Sequence, residues 1–148
     1  MQFKDWDIVF VRNEKGISIF NKIFYFLIRF FLKSEYNHCL LIRDFNGTLF
    51  ICEAIASGFV VSKTLDTFIK EQERFKRKLS IKRFKVTIGA KDRFNKLLGA
   101  NYNARYLKYL LNINHNKLSV NCFQSIGFIL NEKEWWKTKP NYLFKILH

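Results

Sequence analysis

The sequence predicts an α+β domain in which an antiparallel sheet packs against helices, and three observations carry that expectation. Short β-branched and apolar runs alternate with turn residues, which reads as a set of strands. One interruption is Asn46-Gly47 between two such runs, the strongest short-range hairpin signal. Other segments repeat their apolar residues at helical spacing. At 148 residues, 49% hydrophobic and with no linker or internal repeat, the chain forms one domain over residues 1–148. A domain of this size buries roughly 68–70% of its unfolded surface, so its core requires neither a metal nor disulfides.

The elements follow in order. Residues 7–12, Asp-Ile-Val-Phe-Val-Arg, read as a buried strand ended by Asn13-Glu14-Lys15-Gly16. Residues 17–32 read as a helix whose polar members Ser18, Asn21, Lys22, Tyr25 and Arg29 make one stripe, continued by Lys33. The rest of its circumference is apolar, so it belongs against the core, with an interfacial membrane contact as the second reading. Its sixteen residues fall short of a span and contain Lys22 and Arg29, where a bilayer needs about 20 apolar residues. Residues 38–43 and 48–54 are the hairpin strands, and Phe59-Val60-Val61-Ser62 forms another after Ser57-Gly58. Thr64 caps a short helix. Residues 78–88 alternate basic and apolar, as a strand with one wet face does, and 91–98 and 104–111 are helical. Ser119-Val120-Asn121 leads into a helix over 122–130, and the closing segment holds Trp135-Trp136 and Pro140.

Composition narrows the function classes. Aromatics at 18%, a single Pro and six Gly exclude a disordered tail and a collagen-like chain. Three Cys do not build a disulfide framework. With 26 Lys and Arg against 12 Asp and Glu, the net charge of +14 implies an anionic partner: cell-wall polymer, anionic membrane or nucleic acid. The basic run Lys70, Arg74, Lys76, Arg77, Lys78, Lys82, Arg83 and Lys85, with Phe75 and Phe84, admits nucleic acid. It reads first as a solvated face, because no helix-turn-helix or zinc-finger motif accompanies it. The opening residues lack a signal peptide, which together with the missing span implies a cytoplasmic or phage-associated protein.

Three residues form a chemical constellation: His38, Glu53 and Cys122. In a hairpin turning at Asn46-Gly47, His38 and Glu53 meet near the ladder's end, within one or two residues of register. A carboxylate beside a histidine fixes its tautomer and stabilises the imidazolium. Cys122 stands where a strand-like run hands over to a helix, and a helix N-terminus favours the thiolate. Taken singly, Cys122 reads as a small buried hydrophobe and His38 as a strand-edge histidine. Glu53 is the exception, since an acid between Ile51-Cys52 and Ala54-Ile55 needs a partner. Cys39 points to the sheet face opposite His38, and both Cys39 and Cys52 read as structural. A Cys39–Cys52 disulfide is disfavoured without a secretory signal. No Cys-x-x-Cys or His-x-x-x-His spacing supports a metal site, no Gly-rich phosphate loop occurs, and His115 reads as a loop residue. No metal or organic cofactor is expected.

The series of motifs resembles the permuted papain-like cysteine hydrolases, the YiiX/YaeF branch of the NlpC-like superfamily, kin to lecithin–retinol acyltransferase. Asp7-Ile8-Val9-Phe10-Val11-Arg12 is similar to the family's opening G-D-I-V, with Trp6 in place of the Gly. Ser34-Glu35-Tyr36-Asn37-His38-Cys39-Leu40-Leu41-Ile42 resembles its S-x-x-x-H-V-G-I-V, and Glu53-Ala54 its E-A. Gly99-Ala100-Asn101-Tyr102 resembles the G-x-x-Y before the nucleophile, and Asn121-Cys122-Phe123-Gln124-Ser125-Ile126 the start of the Cys-bearing helix. Lys139-Pro140-Asn141-Tyr142-Leu143 is similar to the closing S-P-x-x-L. The resemblance implies a circularly permuted papain-like fold with Cys122 as nucleophile, His38 as base and Glu53 as orienting residue. Cys39 and Leu40 depart from the usual Val-Gly, and Gln124 from the usual Ser or Glu, which bears on substrate preference.

The implied activity is amide cleavage through a thioester, in peptidoglycan peptides or a related conjugate. A lipid acyl hydrolase or acyltransferase is the first rival, favoured by the basic aromatic segment 17–32. A non-catalytic basic binding protein or a virion component of the same fold is the second. Residues 62–78, carrying mixed charge after the hairpin, are placed to cover a site there.

Overall fold

Four consecutive apolar residues, Cys39-Leu40-Leu41-Ile42, cannot belong to a strand with a wet face, and in the fold they do not. The computed structural model describes residues 2–12, 34–55, 57–75, 77–83, 86–102, 119–135 and 138–147. In it, β1 (Ile8–Arg12), β2 (His38–Phe45), β3 (Thr48–Ile55), β4 (Gly58–Thr64) and β5 (Lys78–Lys82) form one antiparallel sheet in the order β4-β3-β2-β1-β5. β2 is its central strand, buried on both faces, which explains the unbroken apolar run.

Two cores result. Ile8, Phe10, Cys39, Leu41, Cys52, Ala54 and Phe59 face α2 (Ala90–Leu97), α3 (Cys122–Ile129) and α4 (Pro140–Ile146). Val9, Val11, Leu40, Ile42 and Ile51 face Leu65 and Phe68 of α1 (Leu65–Phe75). The segment expected to cover the site is therefore largely α1, a fixed layer on the second face of the sheet. A two-residue parallel pair, β6 (Asn101–Tyr102) and β7 (Ser119–Val120), precedes α3.

The local signals hold where local physics decides. Asn46 and Gly47 both take positive φ, 55° and 81°, as a two-residue hairpin turn requires. Thr64 Oγ1 accepts the Thr67 amide at 3.4 Å and opens α1. One expectation is corrected: the strand expected over 78–88 ends at Lys82. Among the described residues β5 pairs only with β1, and the ladder runs out at Ile8↔Lys82, where β1 begins. Arg83 then turns to Asp7, its Nε donating to Oδ1 at 3.0 Å. The expected helices over 17–32 and 104–111, together with His115, Lys76, Phe84, Lys85 and Trp136, lie outside the described residues. Among the described residues, no helix is long and apolar enough to cross a membrane.

Trp6 carries a φ of 68°, a backbone conformation glycine adopts without strain. That is the position where the resembled pattern has Gly. Its ring compensates by packing under the buried Arg43 guanidinium, 3.7 Å from the ring centroid, and edge-on to Phe94.

Candidate active site

The site forms where the first residue of β2 meets the N-terminus of α3. β2 and β3 pair with Leu41 opposite Cys52. Continuing that register sets Glu53 opposite Leu40, so His38 lies two residues along on the same face, a diagonal neighbour. Diagonal positions are within reach of long side chains. His38 Nε2 and Glu53 Oε2 are 2.7 Å apart, and the two side chains are 24% and 13% exposed. The expected pairing is thus met across the diagonal.

Glu53 has a second partner that depends on a defect in the sheet. Between β3 and β4 the register shifts: Cys52 is opposite Val61, while Ile51 is opposite Lys63. Ser62 is the extra residue of this β-bulge. Bulges re-aim side chains, and here the Ser62 hydroxyl donates to Glu53 Oε1 at 2.7 Å. Lys63 Nζ is bonded to Glu71 of α1 at 2.7 Å and adds positive charge near Glu53. Burial acts to raise the Glu53 carboxyl, but the bond and charge of His38, then Ser62 and Lys63, hold it below its ordinary value. Glu53 is therefore an anion with both oxygens engaged.

Cys122 opens α3, and its own neighbours build that helix start. Asn121 Oδ1 accepts the amides of Phe123 and Gln124 at 3.0 and 2.9 Å. Gln124 Oε1 accepts the Asn121 amide at 3.1 Å, completing a capping box. Gln124, which departs from the resembled pattern, thus has a buried structural task. The cap engages the second and third amides of the helix and does not use that of Cys122. Around this N-terminus the helix dipole favours negative charge.

The third cysteine in the region is Cys39. Strand alternation places it opposite His38, on the face where α3 packs. Its thiol donates to the Cys122 carbonyl at 3.0 Å, and both residues are buried. The adjacent Cys39 thiol is also the largest influence on Cys122, holding its thiol well below the ordinary 9.0. Burial opposes this, and the charge and hydrogen bond of His38 reinforce it. Burial would lower His38, but the Cys122 thiolate and then Glu53 outweigh it, raising its pKa from 6.5 to about 10. Cys39 is driven the opposite way, well above the ordinary thiol, by burial and then by the adjacent Cys122. Burial likewise pushes Cys52 up to about 12, which makes it inert.

The resulting arrangement is a thiolate–imidazolium pair braced by a carboxylate. With Nε2 taken by Glu53, Nδ1 is the ring nitrogen left for Cys122. All three sequence-predicted residues come together in one place. The structure adds Ser62, Cys39 and the Asn121 cap. The cap was readable as Asn-x-x-Gln ahead of an apolar run. Cys39 was on the correct face but without a known neighbour, and no sequence signal marks the bulge at Ser62. All three cysteines are free thiols. Among the described residues, no cluster of His, Cys, Asp and Glu is arranged to hold a metal. An open pocket of about 550 Å³ lined by Glu132, Lys133, Thr138, Lys139 and Tyr142 includes none of the three site residues.

No protein-family model and no curated protein matches the chain.

Proposed function

We propose that the chain is a cysteine hydrolase that cleaves an amide bond through a thioester, with the permuted papain-like (NlpC-like) fold its motifs resemble. The observation that carries this reading is the contact of three ionisable groups: His38 bonded to Glu53 at 2.7 Å and paired with a Cys122 thiol whose pKa is depressed. Core packing alone does not call for a carboxylate, an imidazole and a thiol together, because desolvating them is costly. Perturbed titratable groups gather where chemistry needs them.

In the proposed reaction the Cys122 thiolate attacks the substrate carbonyl, forming a C–S bond and a tetrahedral oxyanion. The Cys122 amide at the capped helix start donates to that oxygen, an interaction whose loss costs roughly 3–4 kcal/mol in comparable sites. His38 imidazolium gives its proton to the leaving amine as the C–N bond breaks. Neutral His38 then takes a proton from water, the hydroxide attacks the thioester, and the acid product leaves as the thiolate reforms. Glu53 and Ser62 keep the imidazole ring in position through both halves. The +14 charge supports an anionic cell-wall peptide or a related peptide conjugate as substrate.

The test is to incubate the full chain with a peptidoglycan-derived muropeptide and, separately, with phosphatidylglycerol vesicles, then quench in acid and map adducts by mass. The expected result is a new amine product and an acyl adduct on Cys122, both lost in His38→Ala. A fatty-acyl adduct from the vesicles would move the substrate class to lipid esters. No adduct from either, with native Cys122 inert to iodoacetamide until denaturation, overturns the reading.

A further inference from the structure

The nucleophile reading uses one of two adjacent thiols, and the second has no part in acyl transfer. Cys39 is held by the central strand and Cys122 by the capped start of α3, two rigid elements. The Cys39 sulfur lies 3.0 Å from the Cys122 carbonyl oxygen, and both side chains are buried in the same core. Cys52 shares the same core but sits opposite Leu41, farther along the sheet. The departure of Cys39 from the Val of the resembled pattern therefore places a spare thiol against the candidate nucleophile.

We propose that Cys39 is a resolving cysteine, forming a reversible disulfide with Cys122 when peroxide oxidises the site. This inference rests on the reading of Cys122 as an activated thiolate. In the first step the Cys122 sulfur attacks hydrogen peroxide. An S–O bond forms, the O–O bond breaks, and hydroxide leaves with a two-electron oxidation of sulfur to the sulfenic acid. In the second step the Cys39 sulfur attacks the Cys122 sulfur. An S–S bond forms, the S–O bond breaks, and the departing hydroxide takes the Cys39 proton as water. A small-molecule thiol then reduces the bond through a mixed disulfide.

The order of events follows from the electrostatics. While Cys122 is a thiolate, its negative charge helps keep Cys39 protonated and quiet. Conversion of Cys122 to a neutral sulfenic acid removes that charge and leaves burial, the largest influence, in place, so Cys39 is a better nucleophile after the oxidation than before it. His38 lies beside Cys122, and Cys39 is its chain neighbour on the strand. The consequence is a site that shuts off under peroxide and recovers, instead of passing on to the irreversible sulfinic acid.

The three cysteines fall on separate tryptic peptides, 34–43, 44–63 and 118–133, which makes the test direct. The full chain is treated with hydrogen peroxide at neutral pH and mapped without reductant. The expected product is peptide 34–43 linked to 118–133, a loss of about 2 Da on the intact chain, with full recovery of Cys122 labelling after dithiothreitol. Cys39→Ser keeps a hydroxyl donor for the Cys122 carbonyl and cannot form the bond. In it, Cys122 gains about 32 Da as sulfinic acid and dithiothreitol recovers none of the labelling. Cys52→Ala links as the wild type does. Sulfinic acid at equal rates in wild type and Cys39→Ser, or linkage of Cys122 to Cys52, overturns the inference. If iodoacetamide labels Cys122 rapidly but no link forms, this inference alone fails. If neither reagent reaches native Cys122, the nucleophile reading fails with it. A link without any acyl adduct leaves the disulfide standing and removes the hydrolase.

Discussion

The His38 imidazole carries the sharpest quantitative consequence of the site, because its two partners raise it by different amounts. The Cys122 thiolate is the larger favourable influence and Glu53 the smaller, against a burial effect that acts downward. Glu53→Gln keeps the size of the side chain and an oxygen facing Nε2, but removes the charge from a 2.7 Å hydrogen bond. A hydrogen bond to a charged group contributes about 1.5–3 kcal/mol. At 1.36 kcal/mol per pH unit, that is a fall of about one to two units from the wild-type value. Cys122→Ala should lower it further, since it removes both the charge and the hydrogen bond that rank above those of Glu53. The expected order is wild type near 10, then Glu53→Gln, then Cys122→Ala. Ring-carbon and ring-proton NMR titration measures this readily, because the chain has only three histidines, and His115→Gln and His148→Gln assign the other two. Wild-type His38 titrating near 6.5 would refute the ion pair. A Glu53→Gln fall as large as that of Cys122→Ala would refute the ranking of its partners.

Three further outcomes follow from the same geometry. The ion pair contributes a stability that is flat between pH 6.5 and 9, where unfolded His38 and Cys122 are both neutral and folding exchanges no net proton. From pH 9 to about 10 the folded state alone retains the imidazolium proton, so this contribution declines by about 1.4 kcal/mol; below 6.5 the unfolded state binds the extra proton, and stability declines as pH falls. Urea unfolding of wild type minus the Cys122→Ala, His38→Gln double variant, which carries neither titrating group, reads this difference across pH, and a slope between 7 and 8.5 would contradict it. Asn121→Asp retains a capping oxygen and replaces the buried Nδ2, which has no partner among the described residues, with negative charge. The new charge beside the Cys122 thiolate should shift iodoacetamide labelling of Cys122 to higher pH and, by the same repulsion, lower folding stability by about 1.4 kcal/mol for each unit of that shift; a labelling shift to lower pH would contradict the thiolate at this helix start. Gly127→Ala drives a methyl into Thr138 Oγ1 and Cβ between α3 and the segment before α4. It should cost about 1–3 kcal/mol in thermal or urea unfolding, with Thr138→Ala partly relieving it; an unchanged midpoint would count against this packing.

Local physics made much of this molecule legible. The Asn46-Gly47 turn, the unbroken apolar run of a central strand, and the helix beginning at Cys122 each rest on interactions among residues near in sequence. His38 and Glu53 could be paired because a two-residue hairpin turn ties the distant ends of its strands to one register. The end of β2 was not legible: the strand expected to stop at Arg43 runs to Phe45, because Asp44 and Phe45 pair with Leu49 and Thr48. The strand over 78–88 was misjudged for the same reason: alternation shows what a segment can do, but the length of its partner β1 decides where pairing stops.

What only the tertiary structure decided concerns neighbours brought together from far along the chain. Ser62 reaches Glu53 because a bulge opposite Ile51 and Cys52 turns it there, and the energy of a bulge depends on the whole ladder. Alternation correctly assigned Cys39 to the face away from His38, yet only the docking of α3, 83 residues later, turned that core position into a contact with Cys122. The titration of the site follows the same division. Residue types supplied an acid, a base and a thiol, but their charges couple steeply with distance and burial. Separation and burial are properties of the packed layers, and no short stretch of sequence contains them.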